Sequence, residues 1–157
     1  MNITSPAFVP GGSIPPQYTC DATDGVGSHV PLDFQGVPAE AKSLVLIMED
    51  PDVPRDRMPE GVFDHWVVFN IPPKTAGVKE KEIESALPGT YGNNSAGQAA
   101  YAGPCPPDRQ HRYFFRLYAL DTQLALKKGA TKKEVQEAME GHIVAEAELV
   151  GVYERKL

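Results

Sequence analysis

The sequence predicts a mainly β fold in a single domain spanning residues 1–157, and three observations carry that expectation. Fifteen prolines and fourteen glycines are spread along the whole chain, which divides it into short segments joined by turns. Three apolar runs of strand length, rich in β-branched and aromatic residues, stand in its interior. One stretch alone, near residues 131–141, combines helical spacing with start and stop signals.

The first run, Ser43-Leu44-Val45-Leu46-Ile47-Met48, stops at Asp50-Pro51-Asp52-Val53-Pro54, where the prolines cannot continue a hydrogen-bonded ladder. It reads as a buried strand feeding a rigid loop. The second, His65-Trp66-Val67-Val68-Phe69-Asn70-Ile71, ends at Pro72-Pro73, and the third is His111-Arg112-Tyr113-Phe114-Phe115-Arg116-Leu117-Tyr118. All three read as central strands. Thr131 and Glu134 form a capping box, Val135, Ala138 and Met139 follow at helical spacing, and Gly141 terminates the helix. Beyond it, Ala145, Ala147 and Leu149 alternate with Glu146 and Glu148, as in a half-exposed last strand. Residues 21–28 and 89–97 are small, polar and glycine-rich and read as surface loops.

A formal net charge of −6 excludes broad adhesion to nucleic acid or anionic membranes, so any phosphate site must be local. No run approaches the roughly 18 apolar residues of a membrane span, and Met1 to Pro10 lack the basic start and apolar stretch of a signal peptide. The expectation is a soluble, cytoplasmic chain without stable membrane insertion. Cys20 and Cys105 are too far apart in sequence for a redox CxxC pair or a zinc knuckle, and they read as reduced, buried thiols.

Polar residues collect at strand ends: Asp50 and Asp52 after the first run, His65 opening the second, His111 and Tyr113 in the third. Residues two apart on a strand share a face, so His111 should point with Tyr113, and His65 with Val67. Ahead of the third strand, Tyr101-Ala102-Gly103-Pro104-Cys105-Pro106-Pro107 is a stiff loop. Its prolines remove donors, so the N–H of Gly103 or Cys105 becomes a preset contact for an oxyanion. The histidines have ordinary pKa values near 6.5, so a bound phosphate would hold them charged, and its affinity should fall from about pH 5.5 to 8. Tyr113 would donate a hydrogen bond. Asp50 sits awkwardly beside an anion; it would accept from a histidine, face an ammonium group, or cap loop N–H groups. Asp52 reads as a loop cap.

Asp50-Pro51-Asp52-Val53-Pro54, Asp64-His65-Trp66-Val67-Val68-Phe69-Asn70-Ile71, and Gly103-Pro104-Cys105-Pro106-Pro107 with His111-Arg112-Tyr113 resemble the motifs of the phosphatidylethanolamine-binding protein family. The likeness is to its bacterial and archaeal Raf-kinase-inhibitor-like branch, and it continues through Leu117-Tyr118-Ala119-Leu120-Asp121 and the segment from Gly141 to Gly151. The resemblance implies an antiparallel β-sandwich, a large sheet on a smaller one, with short peripheral helices and an anion pocket at one end. Carried over residue by residue, it implies a pocket of Asp50, His65, Gly103, Cys105, Pro106, His111 and Tyr113. Cys105 stands where some relatives have glycine, which would narrow the pocket. The chain departs from the family pattern at Ser28-His29-Val30-Pro31-Leu32-Asp33-Phe34 and at Asn94-Ser95-Ala96-Gly97.

The functional expectation is reversible binding of a small anionic ligand: a phosphate ester, a phosphoethanolamine head group or a carboxylate. It involves no cofactor, no metal and no catalytic residue. The resemblance also allows an inhibitory partner, a kinase or a protease, and a homodimer is compatible with it. Two enzyme readings rank lower: a facial metal site built from Asp50, His65 and His111, and a Cys105 thiolate activated by His111. His29 and His142 join no chemical grouping, and the Lys127-Lys128 and Lys132-Lys133 pairs read as solvated faces.

Overall fold

Eight strands and one α-helix build the chain in a computed structural model that describes residues 1–25, 27–80 and 87–156. The strands are β1 (Asn2–Thr4), β2 (Leu32–Gln35), β3 (Ser43–Asp50), β4 (Phe63–Ile71), β5 (Gly77–Val78), β6 (Thr90–Tyr91), β7 (His111–Leu120) and β8 (Ile143–Tyr153); α1 is Lys132–Met139. They form two antiparallel sheets, one ordered β6-β4-β3-β7-β8 and the other β1-β2-β5. The mainly β expectation holds. The three apolar runs are the middle strands of the larger sheet.

β3 lies at its centre and buries both faces, so its apolar residues run on without alternation. Leu44, Leu46 and Met48 face the smaller sheet together with Trp66, Val68, Phe115 and Leu117. Val45, Ile47, Val67 and Phe69 face the other way, onto Val135 and Met139 of α1. The helix starts at the predicted capping box, with the Glu134 N–H donating to Thr131 Oγ1 at 3.2 Å. The Ala/Glu alternation after it is strand β8. Its outer edge is covered from Val150 onward by the N-terminal segment: Gly11 N–H donates to Val150 O at 2.7 Å and Ile14 N–H to Val152 O at 2.8 Å. Gly151 permits this approach, because a Cβ there would stand 2.7 Å from Phe8 and 2.8 Å from Ile14.

One irregularity decides where the chemistry points. β3 and β4 pair Met48 with Trp66 but Glu49 with Asp64, leaving His65 as the extra residue of a bulge. The bulge places Phe63 and His65 on the same side as Trp66 and Val68. Val67 instead lies in the helix-side cluster, so the expected sharing of a face by His65 and Val67 is overturned. Asp64 turns to the helix side and pairs with Lys132 Nζ at 2.7 Å. Lys132, expected on a solvated face, is also 2.7 Å from Glu49, which pairs in turn with Arg116. Among the described residues, no helix is long and apolar enough to cross a membrane.

Candidate functional site

At the β3 C-terminal end, next to the bulge, a cavity of about 310 Å³ opens between the 53–58 loop, the 102–107 loop and the start of β7. Its walls are largely apolar, from Val53, Met58, Phe63, Ala102 and Pro107. The polar groups are those of Asp50, His65, His111 and Arg57 and the backbone at Gly103 and Cys105. Such a vessel, at the low end of the roughly 300–1,000 Å³ typical of small-molecule sites, orients a ligand with few contacts.

Asp50 ends β3 buried, and its two oxygens have different work. Oδ1 accepts the Asp52 N–H at 2.8 Å, capping the loop, and Oδ2 lies 2.6 Å from His111 Nδ1. Two of the three roles expected for Asp50, loop cap and histidine partner, are therefore filled at once. Burial pushes its carboxyl above the ordinary range, and the hydrogen bonds from His111 and Asp52 only partly oppose this. Asp52 does not cap the loop: it accepts from Arg112 N–H and Nε at 2.9 Å each and from Nη2 at 2.8 Å, fastening the loop to β7. The Arg112 bonds draw its carboxyl down to about 2.

His111 is fully buried between two carboxylates, since its Nε2 lies 2.7 Å from Asp108 Oδ1. Asp108 is exposed, so the series Asp50, His111, Asp108 runs from cavity to solvent. His65 differs. Its Nδ1–H donates to Ala102 O at 2.7 Å, which leaves Nε2 with a free lone pair toward the cavity, and burial takes its pKa down to about 4. Burial therefore keeps the ring neutral near pH 7 in the absence of an anion, its pKa below the ordinary value of about 6.5 from which the sequence expectation started. Tyr113 stands behind it, edge-on with ring centroids 5.3 Å apart. Among the described residues the Tyr113 hydroxyl is buried without a hydrogen-bond partner, and burial with the nearby Asp50 charge pushes its pKa up.

The 102–107 loop holds the largest correction. Cys20 and Cys105 are not reduced thiols: they form a disulfide across a sequence separation of 85, and Cys105 is exposed rather than buried. A bonded Cys105 offers no thiol for His111 to activate. Cys20 N–H also donates to Pro104 O at 3.1 Å, and Tyr101 Oη–H to Tyr18 O at 2.9 Å, so the loop is tied to the 18–20 segment along its length. The N–H groups of Gly103 and Cys105 bond to no other described residue.

Of the seven residues named from sequence, Asp50, His65, Gly103, Cys105 and His111 line the cavity, Tyr113 backs His65, and Pro106 is buried outside the lining while Pro107 takes a place in it. The segments 28–34 and 94–97 contribute no lining residue. Sequence reasoning missed Arg57, Met58, Phe63 and Asp108. For Asp108 a signal existed, three residues before His111; for Phe63 it was the spacing of two from His65. Among the described residues, no group of three or more His, Cys, Asp or Glu side chains is arranged to hold a metal ion.

Comparison with known proteins gives a consistent result. The family model described as phosphatidylethanolamine-binding protein matches residues 4–154. A UPF0098 protein of Methanothermobacter thermautotrophicus is 51% identical over 99% of both chains, and one of Chlamydia trachomatis is 48% identical over 99% of both. Among solved structures, a phosphatidylethanolamine-binding protein homologue from Chlamydia trachomatis superposes with a TM-score of 0.92 at 46% identity, covering 99% of this chain and 97% of that one. YbcL of E. coli, described as a member of the mammalian PEBP family, superposes with a TM-score of 0.84 at 26% identity, covering 99% and 98%.

Proposed function

This chain belongs to the phosphatidylethanolamine-binding protein family, and from that membership we propose that it reversibly binds a small phosphate- or carboxylate-bearing molecule in the cavity between Asp50, His65 and His111. The observation that carries the reading is the convergence, in one apolar-walled cavity, of two unbonded loop N–H groups, an Arg57 guanidinium and an imidazole with a free nitrogen. N–H groups and Arg57 hold the oxyanion. The neutral His65 Nε2 accepts the hydrogen of a singly protonated phosphate ester, or takes up a proton and donates to a fully ionised one. Val53, Met58 and Phe63 cover the ligand's carbon portion.

Asp50 stays bonded to His111, where it keeps the imidazole oriented and offers a negative wall to an ammonium group. A phosphoethanolamine head group would satisfy both ends of the site, its phosphate on the loop and its ammonium toward Asp50. That matches the ligand in the family's name. Calorimetry with phosphoethanolamine tests the assignment: His65→Ala should weaken binding by about 1–3 kcal/mol, the usual cost of losing a charge-assisted partner, and His111→Ala should weaken it as well by releasing Asp50 from its place in the cavity wall. Unchanged affinity in both variants would refute it.

A further inference from the structure

We infer that the Cys20–Cys105 disulfide is a site of thiol–disulfide exchange that opens into the ligand cavity, with small anionic thiols as the reacting class. The two halves of the bond are not equivalent. Cys105 is exposed and lines the cavity, whereas Cys20 is only partly exposed and contributes nothing to the lining. A thiol entering the cavity therefore meets the Cys105 sulfur first, and which sulfur is attacked decides the product.

Charge selects the thiol. Asp50 is matched by His111, while the Arg57 side chain makes no hydrogen bond or ion pair with a described residue. An unmatched guanidinium at the cavity draws an anion and stabilises the thiolate form that reacts. The incoming RS⁻ forms a bond to Cys105 Sγ, the Cys20–Cys105 bond breaks, and Cys20 leaves as a thiolate that takes a proton from water. A second RS⁻ attacks the R sulfur of the mixed disulfide, releases RSSR, and leaves Cys105 to be protonated in the same way. The protein disulfide gains two electrons and two protons, and two thiols are oxidised to one disulfide.

The intermediate carries its R group into the space assigned to the oxyanion, so the mixed disulfide and the ligand compete. This consequence rests on the binding role proposed above; the exchange itself does not. After full reduction, the loop keeps only the Cys20 N–H to Pro104 and Tyr101 to Tyr18 bonds as ties to the 18–20 segment. In a compartment stocked with small thiols, the redox state of this wall would set access to the site.

Mass spectrometry provides the test. Oxidised protein is incubated under native conditions with 2-mercaptoethanesulfonate or with cysteamine at equal thiolate concentration, quenched in acid, and mapped by peptide. The expected product is a mixed disulfide on Cys105 with Cys20 free, formed severalfold faster with the sulfonate than with the amine, a preference that Arg57→Gln abolishes. An adduct on Cys20, an adduct that forms only in denaturant, or equal rates for the two thiols would overturn the proposal. Sulfate calorimetry on the same samples separates the two ideas. Sulfate that fails to bind the unmodified oxidised protein defeats the binding role and leaves the exchange to be judged by the mass data alone. Sulfate that binds adducted and unmodified protein equally defeats the competition between adduct and ligand.

Discussion

The pH dependence of anion binding should be displaced from the range that an ordinary histidine would give. Burial holds the empty-site His65 at about 4, against about 6.5 for a free imidazole. Keeping that ring charged at pH 7 would cost about 4 kcal/mol, three units at about 1.4 kcal/mol each. A sulfate accepting a charged hydrogen bond returns about 1.5–3 kcal/mol, which lifts the ring by about one to two units, to about 5–6 in the complex. Sulfate remains doubly ionised throughout, so the protein alone supplies the titration. Anion binding to a charged ring takes up a proton between the free and bound pKa values; affinity should fall about 5- to 25-fold from pH 4 to 6 and level off by about pH 7. Calorimetry from pH 4.5 to 8, in buffers of differing ionisation enthalpy, should show proton uptake peaking near pH 5 and vanishing by about pH 7. Phe63, Tyr113 and Ala102 contact the ring, His111 acts on it electrostatically, and Asp50 and Arg57 line the same cavity. His65→Gln can keep the bond to Ala102 O with an amide N–H but cannot titrate, so it should flatten the profile. A fall centred at or above pH 6.5 would refute the burial argument. An unaltered profile in the glutamine variant would show that the titrating group is not His65.

The free protein should lose up to about 3 kcal/mol of stability as pH falls from about 6.5 to 4, because the unfolded chain protonates His65 while the folded chain does not. Raised Asp50 offsets part of the loss at the acid end, and urea titrations of wild type and His65→Gln measure the difference. Replacing both cysteines by serine frees a loop of 85 residues' separation, which chain entropy values at about 4–5 kcal/mol. Thermal unfolding should then fall by roughly 10–15 °C, and a loss below a few degrees would show that other contacts already confine the loop. Asp52→Asn should cost about 1–2 kcal/mol, a modest sum because Arg112 is half exposed and its charge screened; denaturant unfolding at pH 7 would detect it.

The frame was legible in the sequence because its signals are local. The runs at 43–48, 65–71 and 111–118 appear as β3, β4 and β7, each extended by a few residues, and Thr131 with Glu134 marked the helix start correctly. Short strands such as β1, β5 and β6 were missed. Two or three residues carry no periodicity, and these strands exist because partners such as β2 and β4 offer open edges. Family motifs named most of the cavity-lining polar residues, since strand ends and stiff loops are written in runs of consecutive residues.

Only the tertiary structure decided how those residues act. The bulge at His65 depends on pairing with β3, and it turns the ring onto Tyr113 although strict alternation would place it with Val67. The low pKa of His65 comes from groups remote in sequence that exclude water. The disulfide joins cysteines 85 positions apart, a proximity created by the folding of the 18–20 segment against the 102–107 loop. Short-range patterns in a chain specify elements and residue types; depth, facing and partnership are properties of the space between elements, which no single segment encodes.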